Sequence, residues 1–362
     1  MSFLSKIIKS VVDSLEIQNF RGIDKITIKF SPLTLVFGPN GSGKTSILES
    51  IRLISTGKSD RESSSSEMIS WSSDITKIKL NASSMDFSEV LLTLTKGHLE
   101  FGGILKKTPK KRLLVDGIPK RPTDFVGGLP TVIFSPDDMD YFSKGPSVRR
   151  DAADSVLSQI SSGYRANLSV YSKALTSRNS LLKRIREGKS KLMELDWWDD
   201  LIVKKAEVVE RGRKKWVEHV NQSNTLGDSK YRLDYLESKL SMERLKECQS
   251  REIASGTTLI GPHRDDFCLH SELGGQMRML EKFGSRGQQR MGVLWLKSRE
   301  IDFLRSFNKQ PILLLDDIMS ELDDEHREVV LGFTQSLQTI VTTSETFVLG
   351  MFEGKSNIVN LS

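Results

Sequence analysis

Cysteine is scarce in this chain. It has two in 362 residues, Cys248 and Cys268, and they do not form a Cys-x-x-Cys pair. Thiols therefore supply neither a disulfide framework nor a zinc site. Long apolar runs are missing too, and nothing approaches the roughly 18 consecutive apolar residues of a bilayer-spanning helix. The first residues carry an apolar stretch broken by Lys6, Lys9 and Asp13, with no small-residue cleavage site. That is not the pattern of a secretory signal. A reducing, cytoplasmic compartment and no membrane partner are the expectations. Zinc-finger and helix-turn-helix spacings do not occur, which argues against base-specific reading of a duplex. No internal repeat is visible.

The chain has ample material for a packed core. Hydrophobic residues make up 37% and charged residues 28%, which excludes a disordered tail protein. This length predicts two or three domains. Lysine and arginine number 53 against 47 acidic residues, a net charge of +6. That balance permits a polyanionic partner without requiring one.

Apolar periodicity divides the chain. Leu15 and Ile17, then Ile26, Ile28 and Phe30, alternate with polar neighbours on either side of Phe20-Arg21-Gly22, predicting two short strands. Leu33, Leu35, Val36 and Phe37 form a run expected of a strand buried on both faces. Residues 57–74 are serine-rich and read as a surface loop. From 76 to 134, alternating runs separated by Gly, Pro and Lys suggest an antiparallel sheet, with 131–134 a further buried strand.

Between Ala152 and Arg251 proline is absent and the period becomes helical. Tyr164, Leu168, Tyr171, Leu175, Leu182 and Ile185 are spaced by 4, 3, 4, 7 and 3, a seam of period near 3.5. Trp198, Ile202, Val209 and Trp216 continue it. A two-helix arm joined near Gly188 and an ordinary helical bundle both satisfy this pattern. After Gly256 strand-like segments return, and the last predicted strand is 339–342. The expected fold class is α/β: a P-loop head of mixed sheet and helices, split by an all-helical insertion. The boundaries are 1–150 and 256–362 for the head and 151–255 for the insertion.

The most specific chemistry lies in Gly38-Pro39-Asn40-Gly41-Ser42-Gly43-Lys44-Thr45, which fits G-x-x-x-x-G-K-[ST]. Glycines let backbone N–H groups wrap a polyphosphate, and the helix that follows adds its positive end. Lys44 reaches the β- and γ-phosphates, and the Thr45 hydroxyl suits Mg²⁺. Ser46 follows inside the first helical turn. Four aliphatic residues, 312–315, then deliver Asp316 and Asp317. Asp316 is the expected magnesium-shell carboxylate, and Asp317 the group that orients or deprotonates the attacking water. Asp316 follows Thr45 by 271 residues, a gap that implies a large insertion.

The segment Leu15-x-Ile17-x-Asn19-Phe20-Arg21-Gly22, the glycine loop and residues 47–51 resemble the head of an SMC-type ABC ATPase. More narrowly, the chain resembles the RecF family. The residues that carry this are Pro136-Asp137 with Gly145-Pro146-x-x-Arg149-Arg150, then Tyr171, Arg178-Asn179, Leu182 and Trp198. Further on come Gly261-Pro262-His263-Arg264-Asp265-Asp266, Ser285-Arg286-Gly287-Gln288-Gln289-Arg290 and the run 316–323.

The resemblance implies an ABC-type head that takes ATP and Mg²⁺ on Gly38, Pro39, Asn40, Gly41, Ser42, Gly43, Lys44, Thr45 and Ser46. Ser285, Gly287 and Gln288 of a second copy would close over the γ-phosphate, making an ATP-dependent homodimer. Lys44 and Asp317 would be catalytic, and Thr45 and Asp316 would hold the metal. It further implies weak DNA-dependent ATP hydrolysis and binding of double-stranded DNA at junctions with single-stranded gaps. RecR and RecO would be partners in loading RecA, with a bearing on the SOS response.

Some positions depart from these families. Tyr141, Phe142 and Lys144 stand where aliphatic residues and a glycine are usual, and Ala152 where an aromatic is. No glutamine lies near Ser135, and Thr342-Thr343 occupy the place of a transporter-type histidine. With the shorter Asp317 in place of glutamate, slow hydrolysis is expected. A transporter-type ATPase subunit driving a membrane partner is the alternative; it fits less well, since such subunits lack a hundred-residue helical insertion.

Three basic clusters remain. They are Lys106, Lys107, Lys110, Lys111 and Arg112; Lys173, Arg178, Lys183, Arg184, Arg186, Lys189 and Lys191; and Lys204, Lys205, Arg211, Arg213, Lys214 and Lys215. Each reads either as a solvated face or as a set of phosphate contacts. His263 reads either as a catalytic or metal-binding residue or as part of a buried charge network, the latter favoured. Trp197 and Trp198 read as helix packing rather than base stacking.

Overall fold

The structure, a computed structural model, describes residues 11–59, 64–352, 354 and 356–361. The stretch containing Lys6 and Lys9 and residues 60–63 of the serine-rich segment fall outside these residues. The chain forms two compact units, Met1–Asp138 with Leu304–Ser362, and Met139–Phe303. Residues 139–150 and 256–303, assigned to the head in the sequence division, group with the helical segment instead, because Asp266–Leu273 pairs along its length with Ser229–Leu236 and Arg149 grips Asp266.

The first unit is built on a five-stranded parallel sheet. Its strand order is Thr131–Phe134, Ile312–Asp316, Thr339–Thr343, Leu33–Phe37 and Asn357–Asn360. Every residue of Ile312–Asp316 and Thr339–Thr343 is buried, as parallel strands covered on both faces require. Leu313, Leu314 and Leu315 are wholly inaccessible, each worth about 1.5–3 kcal/mol of burial. The helix Lys44–Thr56 lays Ile47, Leu48 and Ile51 into the same core as Val36, Leu314 and Ile340.

A second, antiparallel sheet of six strands shares that core. Its order is Ile23–Lys29, Ser14–Phe20, Ile75–Asn81, Glu89–Thr95, Lys111–Val115 and Ile118–Lys120. The alternation of Leu15 and Ile17 with exposed neighbours is the period-2 pattern that the sequence showed. Two elements differ from expectation. In the serine-rich segment Met68 and Ile69 are buried, and Ile69 bridges to Phe20. The final strand is Asn357–Asn360, not 339–342; its exposed residues bury too little apolar surface to announce it.

The second unit holds the helices Pro146–Ile160, Ser162–Arg186, Asp196–Val220 and Met242–Ser255. Ser161 caps Ser162–Arg186, its hydroxyl accepting from the Tyr164 N–H at 3.0 Å. Leu182 packs with Leu195 and Trp198, Tyr171 and Ala174 with Ile202 and Ala206, and Tyr164 lies against Gly212. That descending order makes the two long helices antiparallel. Leu245 and Cys248 join one of these clusters and Ile253 the other, so the helices form a bundle rather than a bare two-helix arm.

The segment is not wholly helical. Thr225–Leu226 and Ser229–Leu236 form a hairpin and, with Asp266–Leu273 and Gln276–Met279, an antiparallel four-stranded sheet. Tyr231 and Leu233 are buried between exposed Lys230 and Arg232, a strand period too short to register beside the long helices. Among the described residues no helix is long and apolar enough to cross a membrane.

Candidate nucleotide site

The glycine loop leaves the carboxyl end of Leu33–Phe37 and runs into Lys44–Thr56. Its first glycine is fixed by close approach: a Cβ on Gly38 would meet Ser42 Oγ at 2.8 Å and the Leu361 carbonyl oxygen at 2.9 Å. Its last, Gly43, has φ +96 and starts the helix with no side-chain cap, and the first turn carries no acidic residue. The helix N-terminus is therefore left to an external anion. Lys44 Nζ donates to the carbonyls of Gly38 at 2.8 Å and Pro39 at 3.0 Å. These partners are neutral, and among the described residues no carboxylate pairs with Lys44.

Asp316 ends the buried strand Ile312–Asp316, which is separated from Leu33–Phe37 by Thr339–Thr343. Its Oδ1 accepts from Thr45 Oγ1 at 3.0 Å and from Thr342 Oγ1 at 2.8 Å. Asp317 is half-buried and left-handed, with φ +51, and opens the short turn Ile318–Ser320. Its N–H donates to Thr342 Oγ1 at 3.1 Å. Ser320 Oγ donates to the Asp317 carbonyl at 2.7 Å.

Residues fitted to a polyphosphate and a hard cation are present. The Ser42 hydroxyl is buried with no hydrogen-bond partner among the described residues, a loss of about 1–3 kcal/mol that a phosphate oxygen would relieve. Thr45 and Asp316 offer hydroxyl and carboxylate oxygen, the donor type that Mg²⁺ takes.

The comparisons agree with this geometry. A family model described as an AAA domain matches residues 14–250. The DNA replication and repair protein RecF of Lachnoclostridium phytofermentans is 37% identical over 95% of this chain and 96% of its own. That of Lachnospira eligens is 33% identical over 97% and 96%. The chain belongs to the RecF family.

A solved structure of the recombination mediator protein RecF with ATP, in the RecFOR pathway, aligns at TM-score 0.80 with 30% identity, covering 93% of this chain and 92% of that one. The SMC head domain from Pyrococcus furiosus aligns at TM-score 0.52 with 17% identity over 97% of this chain and 94% of that one, which shows the ABC-type head fold. The chain is thus an ATP-binding, ABC-type ATPase of DNA replication and repair.

Of the residues singled out in the sequence, Thr45 and Asp316 meet directly, with Lys44 and Asp317 beside them in the chain, at the carboxyl ends of two strands that flank Thr339–Thr343. Ser285, Gly287 and Gln288 belong to the second unit, at the N-terminus of Arg286–Ser306. There the Ser285 N–H donates to Gln288 Oε1 at 2.8 Å and the Gln288 N–H to Ser285 Oγ at 3.2 Å. This reciprocal cap leaves Ser285 and Gln288 exposed. Where a glutamine was sought, the Ser135 N–H donates to Asp138 Oδ2 at 2.7 Å.

The RecF-type block 261–266 is a charge network. Arg213 donates to Asp265 Oδ2 at 2.7 Å, the Pro262 carbonyl at 2.6 Å and Asp154 Oδ2 at 2.8 Å. Arg149 grips Asp266 with two nitrogens, at 2.7 and 3.0 Å. His263 lies between Tyr171 Oη at 2.8 Å and the Thr258 carbonyl at 3.0 Å. Burial pushes its pKa down to about 4, against the Thr258 hydrogen bond, with Arg264, Arg150 and Arg178 adding to the depression. The ring is thus neutral and structural.

Three members of the basic clusters are not surface cations. Arg178 pairs with Asp199 at 2.6 Å and Glu252 at 2.8 Å. Arg213 is held as above. Lys111 donates to the Gly57 carbonyl at 2.9 Å, and burial lowers its pKa. Lys106, Lys107, Lys183, Arg184, Arg186, Lys189 and Lys191 are exposed. Trp198 packs on the bundle, while Trp197 stays largely exposed against it.

Sequence reading missed Thr342, noting only that it is not histidine. The signal available was its place opposite the carboxylate in an adjacent buried strand, which becomes visible only once the strand order is known.

Proposed function

We propose that the chain is a nucleotide-gated clamp on double-stranded DNA, cytoplasmic, assembled from two copies of itself. Gly38 to Ser46 hold the triphosphate of one copy. Ser285, Gly287 and Gln288 of a second copy close on its γ-phosphate through a helix N-terminus. Lys44 supplies a charge that no carboxylate among the described residues pairs with, and the buried Ser42 hydroxyl gains a partner. Thr45 and Asp316 hold Mg²⁺, which when bound neutralises phosphate charge during hydrolysis. Asp317 orients the attacking water or takes its proton. Being shorter than a glutamate it does so inefficiently, so hydrolysis is slow and works as a timer for dimer release.

The observation that carries this reading is the Thr45–Asp316 hydrogen bond of 3.0 Å, which joins two motifs 271 residues apart. The exposed lysines and arginines act on phosphates, giving salt-sensitive, sequence-independent affinity for duplexes and gap junctions. RecR is the direct partner in this reading and RecO and RecA indirect ones; the RecFOR pathway named for the solved relative supports a link to that pathway.

Sedimentation with ATP and a gapped duplex tests this. Wild type assembles. Lys44→Ala does not, Ser285→Arg binds nucleotide but stays single, and Asp317→Asn forms a long-lived dimer. Binding indifferent to both ATP and salt would refute the clamp.

A further inference from the structure

Thr342 touches both residues at the carboxylate end of the central strand. The parallel pairing of Ile312–Asp316 with Thr339–Thr343 sets Thr342 opposite Asp316. The residue is wholly inaccessible. Its hydroxyl lies 2.8 Å from Asp316 Oδ1 and 3.3 Å from the Leu315 carbonyl. A hydroxyl has one proton to give, and the shorter, charged contact takes it. The lone pairs remain to receive the Asp317 N–H at 3.1 Å.

We infer that Thr342 is a positioning residue whose hydroxyl sets the Asp316 carboxylate and, together with its own backbone carbonyl at 3.2 Å, holds the Asp317 N–H. Asp316 Oδ1 then receives two hydroxyl protons, from Thr45 and from Thr342, and this fixes the rotation of the carboxylate. Threonine suits the task because its branched Cβ restricts χ1, so the hydroxyl keeps its direction. The Thr45 hydroxyl can keep its proton on Asp316 while its lone pair faces a cation. Partners of a metal-ligating carboxylate govern how well it holds the ion.

This inference rests on the proposed placement of Mg²⁺ at Thr45 and Asp316, and its test separates the two. The affinity of the full chain for a non-hydrolysable ATP analogue is measured with and without Mg²⁺, for wild type, Thr342→Val and Thr342→Ser. Circular dichroism melts check that each variant is folded.

Valine keeps the shape and removes the hydroxyl. It is expected to cut the enhancement that Mg²⁺ gives by about tenfold or more and to leave metal-free affinity unchanged. Serine is expected to restore the enhancement. An unchanged enhancement in Thr342→Val, or equal losses with and without metal, overturns the inference and makes Thr342 a packing residue. Absence of any Mg²⁺ enhancement in wild type removes the metal placement itself, and the inference with it.

Discussion

Lys44 and Arg213 are both buried cations, partnered in opposite ways. Arg213 meets the carboxylates of Asp154 and Asp265, and the nearby Arg178 meets those of Asp199 and Glu252. Among the described residues Lys44 meets two neutral carbonyls and no carboxylate. In the helical unit charge is cancelled within the fold, and the arrangement fixes shape. In the loop one positive charge is left over, and the fold holds it where an anion can arrive. The residue types do not separate structure from function here; the charge of the partner does.

Four substitutions sharpen or break that contrast. The largest effect on stability belongs to Arg213→Met, which strands Asp154 and Asp265. A loss of about 3–5 kcal/mol is expected, read as a shifted urea midpoint by tryptophan fluorescence. A loss under about 1 kcal/mol would mean the network is not closed as described. Lys44→Ala reverses the pattern: stability changes by less than about 1 kcal/mol, while nucleotide affinity falls about tenfold to a hundredfold, as charged hydrogen bonds are lost. Equilibrium binding of a labelled ATP analogue, beside the same urea titration, checks both halves.

Acid dependence comes next. Burial pushes Glu210 up to about 7 from an ordinary 4.5, opposed by the Leu240 N–H and helped by Glu237 and Asp265. His263 is pushed down to about 4 from 6.5. As pH rises from 4 to 6.5 the unfolded chain keeps a proton that folded His263 has shed, so stability rises. Between 4.5 and 7 folded Glu210 keeps a proton the unfolded chain has shed, so stability falls. The two slopes oppose each other. Glu210→Gln should therefore steepen the rise in urea midpoint between pH 5 and 6, whereas an unchanged slope would show that Glu210 titrates normally. Smallest is Glu89→Gln, which breaks a half-exposed pair with Lys79 at 2.7 Å. It should cost under about 1 kcal/mol, with the cost vanishing in high salt.

The sequence made the loop legible because G-x-x-x-x-G-K-[ST] and the aliphatic run before Asp316 are local. The heptad-like seam likewise announced the two long helices. What it concealed depends on strand order. Asn357–Asn360 is a strand only because Leu33–Phe37 offers it an open edge, and Leu361 beside it is what forbids a side chain at Gly38. Arg178, Arg213 and Lys111 read as charge-cluster members because a one-dimensional pattern does not show a carboxylate or carbonyl on a facing element. The hairpin at 225–236 was hidden by its length, and the burial of Met68 and Ile69 by the serines around them.

The central claim is that a triphosphate joins two copies, each giving half of a pocket. Mixing Lys44→Ala with Ser285→Arg tests it most directly. The first variant keeps an intact signature and the second an intact loop, so the pair can build one complete pocket that neither builds alone. Sedimentation of the mixture with ATP should show a dimer where each variant alone stays single. A mixture that remains monomeric while the wild type assembles, or a variant that dimerises by itself, would contradict the account.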